Sequence, residues 1–318
     1  MADYYVAVDL GGTNIRTIRG TADGTILARV SLRTQAAEGE AAVMARILGA
    51  IREVWPPDPN DHVHAIGVSV PGPVDPWRGI LFNAPNLPGW SYVPLGDLIT
   101  REFHVPARLG NDANLAALAE YRFGAGKGHA NMVYITLSTG IGSGVIADGR
   151  LLLGAKGLAA ELGHVCVDLN GPRCNCGNIG CIEAIAAGPA IAKTAVAKIQ
   201  AGEHSVMPEL VSGNLADVSA ETVGQAAQMG DALAASIVLH AGRAIGAAIV
   251  NLLHAFNPGI VICGGGLTRM GDLLMEPIRQ TMVERASDRD YWVDIVLASL
   301  GDDVALLGAL ALAAEPEP

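Results

Sequence analysis

The chain has 318 residues, half of them apolar, 17% charged and 4% aromatic, and 21 Lys and Arg against 32 Asp and Glu give a net charge of −11. That length predicts about two domains of ordinary core size, and the composition excludes a disordered tail protein and an aromatic base-stacking surface. An acidic chain without a basic block is also a poor ligand for phosphodiester backbones or anionic lipid.

Tyr4 to Leu10, Ile15 to Arg19 and Thr25 to Thr34 are apolar runs separated by Gly11-Gly12 and Asp23-Gly24, which predicts an antiparallel three-stranded meander. Ala42, Val43, Ile47, Leu48, Ile51 and Val54 recur at helical spacing until the stretch from Pro56 to Pro59 stops them. A strand over 63–70, a helix over 95–103, a short strand over 106–109 and a helix over 113–123 complete this half. The second half repeats the order, with strands over 132–137, 141–147 and 150–153, a long helix over 232–256, a strand over 260–263, and a final helix, strand and helix. The segment from Gly154 to about Gly230 reads as an insertion. In the long helix Gly242 and Gly246 share one face, which predicts close backbone packing against a neighbouring helix or subunit. Arg243, Asn251 and His254 interrupt that helix, so no run of roughly 18 uninterrupted apolar residues is expected to span a membrane. Met1 to Asp9 lacks the basic and apolar regions of a secretory signal. The expectation is a cytoplasmic protein with neither a membrane nor a nucleic-acid partner.

Two meanders, each followed by alternating helix and strand, predict two α/β domains related by pseudo-symmetry, with ligands in a cleft between them. Asp9-Leu-Gly-Gly-Thr-Asn-Ile-Arg16 places a carboxylate at a strand end, two glycines in the turn and a hydroxyl entering the next strand. Glycines there let backbone N–H groups approach an anion, and Asp9 could hold a hydrated Mg²⁺ beside it. One such turn alone is more often a plain hairpin. Ser138-Thr-Gly-Ile-Gly-Ser-Gly144 repeats the hydroxyl-and-glycine chemistry in the second half, and two symmetric phosphate cradles are harder to dismiss. Gly264-Gly-Gly266 follows a strand and could pass under an adenosine, although such turns also serve tight packing. Neither the dinucleotide fingerprint nor the P-loop pattern is met.

Asn111-Asp112-Ala-Asn114 sits between a strand and a helix, where Asp and Asn are good caps and where a carboxylate at the hinge could equally act as a base. His164, Cys174, Cys176 and Cys181 form a usual tetrahedral Cys₃His zinc set with no open position, so a metal there is expected to be structural. Cys166 and Cys263 read as core residues. Glu161 and Glu183 bracket the cluster, and loops folded round a metal would bring both near His164 as acceptors for hydroxyl groups.

With these motifs, together with Asn86-Leu-Pro-Gly-Trp90, the sequence resembles the ROK family, the sugar kinases and related repressors with an actin-like ATPase (ribonuclease-H-like) fold. The resemblance runs from Asp9 to the last helix, and Glu161-Leu-Gly-His164 with Cys174-Asn-Cys-Gly-Asn-Ile-Gly-Cys-Ile-Glu183 is its most specific part. It implies ATP- and Mg²⁺-dependent phosphorylation of the 6-hydroxyl of a hexose, glucose ahead of N-acetylhexosamines and fructose. It implies that Asp112 takes the hydroxyl proton and that Gly72, Asn86, Asn111, Glu161, His164 and Glu183 surround the sugar. Asp9, Gly11, Gly12, Thr13, Asn14, Thr139 and Gly140 would surround the ATP phosphates, Gly264 and Gly265 the adenosine, and structural Zn²⁺ would sit on His164, Cys174, Cys176 and Cys181. A small domain over 1–112, with the C-terminal helix of about 302–318 packing back on it, and a large domain over 113–301 with the zinc-binding insertion over 154–183, in a homodimer or homotetramer, complete that expectation. The family usually has Gly before Glu-x-Gly-His and this chain has Ala160, which would cost on the order of 1 kcal/mol if the position needs a positive φ. The repressor branch carries a helix-turn-helix domain ahead of the Asp-Gly-Gly motif, and eight residues precede Asp9 here, so an enzyme is the expected class.

Overall fold

The computed structural model describes residues 3–84 and 86–316. In chain order the first part holds β1 (Asp3–Leu10), β2 (Asn14–Gly20), β3 (Ile26–Arg33), α1 (Glu40–Val54), β4 (His62–Val70), β5 (Val74–Asp75), β6 (Ile80–Asn83), β7 (Ser91–Val93), α2 (Leu95–Phe103), β8 (Ala107–Asn111) and α3 (Asp112–Phe123). Then follow β9 (Met132–Leu137), β10 (Ile141–Ala147), β11 (Arg150–Leu151), α4 (Ile182–Ala186), α5 (Gly188–Gln200), α6 (Met207–Leu210), α7 (Ala220–Gln228), α8 (Ala232–Phe256), β12 (Ile260–Gly264), α9 (Asp272–Arg285), β13 (Asp294–Leu297) and α10 (Val304–Ala313).

The predicted pattern repeat is visible in the sheets. One has the order β3-β2-β1-β4-β8 and the other β11-β10-β9-β12-β13. In the first, β1 runs antiparallel to β2 and parallel to β4, which is parallel to β8. In the second, β10 and β11 are antiparallel and β12 is parallel to both β9 and β13. Alternation along β1 explains how the first sheet is covered on both faces. Val6, Val8 and Leu10 point into a core with α1 residues such as Val43 and Ile47. Ala7, between them, points the other way, into a cluster with Leu115 and Leu118 of α3 and Leu306 and Leu310 of α10.

The chain divides into two compact units, Met1–Ala130 with Gly144–Ala160 and Ala298–Pro318, and Asn131–Ser143 with Glu161–Leu297. The division differs from the expected boundary at 112. The apolar face of α3 is buried against α10 in the first unit's own core, so the helix stays with that unit. The small sheet β5-β6-β7 was not expected either, since strands of two to four residues carry too little periodicity to read. Inside the presumed insertion the chain forms α4 to α7.

By length and composition α8 could cross a membrane, despite the polar interruptions at Arg243, Asn251 and His254. Its most apolar window is 61% buried inside the protein, which is the burial of a core helix. Its glycines pack against α9: a Cβ on Gly246 would lie 2.5 Å from Thr281 Cβ and 2.8 Å from the Ile278 carbonyl, and one on Gly242 would lie 2.8 Å from Pro277 Cβ. Gly246→Ala should therefore destabilise the protein, because overpacking of about 1–3 kcal/mol exceeds the roughly 1 kcal/mol of helix propensity that Ala returns. Urea denaturation checks this, and a variant as stable as the parent would show that the two helices part at no cost.

Candidate active site

The first unit holds one glycine loop and its neighbours. Gly11 N–H donates to the Asn14 carbonyl at 2.9 Å, and Thr34, at the end of β3, ties the turn down by donating from Oγ1 to the Gly11 carbonyl at 2.6 Å and from N–H to the Thr13 carbonyl at 2.9 Å. The N–H groups of Gly12 and Thr13 are left without a partner among the described residues. A Cβ on Gly12 would lie 2.6 Å from Asn86 Cβ, so the turn and Asn86 are in contact only because residue 12 is glycine. Nearby, Asp9 and Arg16 face each other across β1 and β2. Arg16 donates to Asp9 Oδ2 from both Nε and Nη2, at 2.9 and 2.6 Å.

At the start of α3 the two adjacent candidates divide the work. Asn111 is the N-cap, accepting from the N–H groups of Ala113 and Asn114 at 3.0 and 3.4 Å, and its Nδ2 donates to the Gly72 carbonyl at 3.1 Å. Asp112 is exposed as the first helical residue, with Oδ1 accepting from Ala113 N–H at 2.8 Å. The cap expected of the Asn-Asp pair is therefore the asparagine.

The second unit holds the other glycine loop. Ser138 N–H donates to the Gly140 carbonyl at 3.0 Å, and the N–H groups of Thr139 and Gly140 have no partner among the described residues. This reproduces the pair of open donors in the first loop. Ile141 N–H donates to Glu183 Oε2 at 3.1 Å, so one predicted sugar ligand is anchored at the start of β10, beside the Ser138–Gly140 loop. The Glu161-Leu-Gly-His164 turn lies on the same strand: Leu162 N–H donates to Ser143 Oγ at 3.2 Å, and a Cβ on Gly163 would fall 1.9 Å from the Ile141 carbonyl oxygen. Glycine is thus required at 163 by the approach of β10. Glu161 is exposed, and Ala160 before it has φ 66, so this chain carries the αL cost that glycine avoids.

His164, Cys174, Cys176 and Cys181 place their ligand atoms within 4.8 Å of one another. Cys174 Sγ is 3.7 Å from His164 Nδ1 and Cys176 Sγ is 3.7 Å from Cys181 Sγ. A tetrahedron with metal–sulfur bonds of about 2.3 Å has edges of about 3.8 Å, so these residues fit zinc. A knuckle shapes the thiol loop, with Cys174 N–H on the Asn178 carbonyl at 2.8 Å and Gly177 N–H on the Cys174 carbonyl at 2.9 Å. Burial, then the neighbouring Cys176, pushes the Cys181 thiol up to about 12, whereas the Asn178 backbone N–H pulls the exposed Cys176 thiol down. A divalent cation among the four would stabilise all three thiolates. Glu183 Oε1 lies 4.0 Å from Cys174 Sγ, so Glu183 joins the cluster to the start of β10. Cys263 is buried as expected, while Cys166 is only half-buried and pairs with Cys181 in an isolated bridge.

A cavity of about 1000 Å³ opens beside Ser138 and Thr139, walled by Pro189 of α5, Glu221 and Gln225 of α7, and Arg269. The Gly264-Gly-Gly266 turn borders it through Gly266, and Gly265 has φ 89, where a Cβ would lie 2.4 Å from the Leu137 carbonyl oxygen. Sequence reasoning missed the wall formed by α5 and α7. Its signals were Pro189 in the first turn of α5 and the capping box of Ser219 and Thr222 that starts α7.

The ROK family model matches residues 5–316. The chain belongs to the ROK family. It is 37% identical over 311 residues to the glucokinase of Thermotoga maritima, covering 98% of this chain and 97% of that protein. It superposes with TM-score 0.80 on a ROK family glucokinase from Streptomyces griseus in complex with glucose and AMPPNP, at 32% identity, covering 98% of this chain and 99% of that one. The xylose repressor of Caldicellulosiruptor bescii is 28% identical over 311 residues, with 96% of this chain matching 77% of that protein. The fold is accordingly the actin-like ATPase fold of ROK sugar kinases.

Proposed function

We propose that this ROK protein transfers the γ-phosphoryl group of ATP to the 6-hydroxyl of glucose. The observation that carries the reading is the pair of glycine loops, each presenting two open N–H donors, one against Asn86 and the other beside the large cavity. Phosphoryl transfer needs charge neutralisation and alignment more than covalent chemistry, and N–H donors supply both. In this reading the phosphate-binding residues are Gly11, Gly12, Thr13, Asn14, Thr139 and Gly140. The cavity past Gly264 and Gly265 takes the adenosine. Asn86, Asn111 with the Gly72 carbonyl, Glu161, His164 and Glu183 accept or donate hydrogen bonds to the sugar hydroxyls. Asp112 takes the 6-hydroxyl proton as the phosphoryl group arrives.

Asp9 keeps Oδ1 without a partner among the described residues, a hard oxygen that fits a hydrated Mg²⁺, which would neutralise phosphate charge when bound. Zinc on His164, Cys174, Cys176 and Cys181 serves structure. With Nδ1 turned to the cluster, His164 keeps Nε2–H for a hydroxyl, as such ligands usually donate their second ring nitrogen. Five cysteines outside any disulfide support a reducing cytoplasm.

The test is one substrate panel with ATP and Mg²⁺ across glucose, mannose, fructose, N-acetylglucosamine and N-acetylmannosamine. Glucose is expected to give the highest kcat/KM. Preference for an N-acetylhexosamine would move the assignment within the family, and absence of any phosphorylated sugar would refute it.

A further inference from the structure

We propose that Arg16 is a positioning residue for the divalent cation that accompanies the nucleotide, a reading that rests on the kinase assignment above. The β1–β2 register sets Arg16 opposite Asp9, and the guanidinium is fixed at both ends: Nε and Nη2 donate to Asp9 Oδ2, and Nη1 donates to the Asp302 carbonyl at 2.8 Å. A paired guanidinium and carboxylate commonly share both oxygens in a parallel fork. Here two donors converge on one oxygen, and Asp9 Oδ1 has no hydrogen-bond partner among the described residues. The Asp9 side chain is 15% exposed and Oδ1 is not one of its fully buried atoms, so that oxygen is left open to a ligand.

The arrangement explains three features at once. Asp9 lies one residue before the end of β1, next to the Gly11–Thr13 turn whose Gly12 and Thr13 N–H groups are open among the described residues. Holding the carboxylate by Oδ2 fixes its rotation and leaves Oδ1 as the oxygen that would hold a divalent cation. The tie to Asp302, just ahead of α10, keeps the guanidinium from swinging to the phosphates, since its three donating nitrogens are committed to two fixed acceptors. Lysine cannot reproduce this, because one ammonium on a flexible stem lacks the planar fork.

The experiment measures Mn²⁺ affinity by electron paramagnetic resonance in the presence of AMPPNP, AMPPNP affinity without metal, and Tm, on the full chain and on Arg16→Lys and Arg16→Gln. Both variants should weaken the metal about tenfold, the usual effect of losing an outer-shell partner, while metal-free AMPPNP affinity and Tm stay near the parent values. Arg29→Gln, which removes the adjacent ion pair with Asp303, should leave metal affinity unchanged. Parent-like metal affinity in Arg16→Lys overturns the proposal, and so does tighter metal binding in Arg16→Gln, the sign of a purely repulsive charge. A joint fall of Tm and metal-free AMPPNP affinity assigns Arg16 to structure and overturns it too. A parent protein that binds Mn²⁺ with AMPPNP but phosphorylates no sugar refutes the kinase reading and leaves Arg16 in place, whereas no metal-dependent AMPPNP binding overturns the Arg16 role.

Discussion

Asp112→Asn is expected to fold and melt like the parent while its turnover number falls by at least about two orders of magnitude, the lower end of what a general base contributes. The two roles open to this residue in sequence are separated by the structure. Asn111 does the capping, so replacing Asp112 leaves the cap of α3 intact. An amide at 112 still offers a carbonyl oxygen to the Ala113 N–H that Asp112 Oδ1 now accepts at 2.8 Å, and the lost charge at the helix N-terminus costs about 0.3–1 kcal/mol. The amide cannot take the proton of a sugar hydroxyl. Asn111→Ala should behave differently: it removes the cap, about 1 kcal/mol, together with the tie to the Gly72 carbonyl, so stability and sugar affinity fall together. Turnover assays and thermal melts on both variants check the pair. Near-parental turnover in Asp112→Asn would return Asp112 to a structural role.

Removing the metal should lower stability and sugar affinity together. Structural zinc in small peptides contributes about 10–16 kcal/mol, and even about a third of that would lower Tm by roughly 7–21 °C in a unit of this size. Sugar binding should weaken because Glu183 hangs from both the Cys174 side of the cluster and the Ile141 N–H at the start of β10. The Gly163 turn that carries His164 is likewise wedged against β10. Cys181→Ser should be more damaging than Cys176→Ser, because Cys181 is buried and also bonds the His164 carbonyl at 3.4 Å while Cys176 is exposed. Metal analysis of the purified protein, then melting and glucose titration before and after chelation, reads the effect. A folded, active sample without zinc would refute it.

Where chemistry is local, the chain could be read directly. The cysteine spacing named the four residues whose ligand atoms converge, and the glycine turns named two loops whose amides are open. Leu95–Phe103, Met132–Leu137, Ile141–Ala147 and Ala232–Phe256 have the bounds their periodicity predicts, because long amphipathic or buried runs repeat one signal many times. The small sheet β5-β6-β7 escaped because its strands are shorter than one reliable period.

By itself, then, the sequence determined the family, the repeated meander, the four residues whose ligand atoms converge and the two glycine turns whose amides are open, all of which depend on residue type at short spacing. Tertiary structure alone decided which of Asn111 and Asp112 caps α3, since that turns on backbone dihedrals at one residue. It decided that Glu183 reaches the Ile141 N–H, 42 positions away, and that α3 stays with α10. It built the cavity wall from α5 and α7, and it clamped Arg16 between Asp9 and the Asp302 carbonyl, 286 positions distant. Such contacts join segments far apart in the chain, and no local spacing encodes them; only burial of the sheets' two faces brings those segments together.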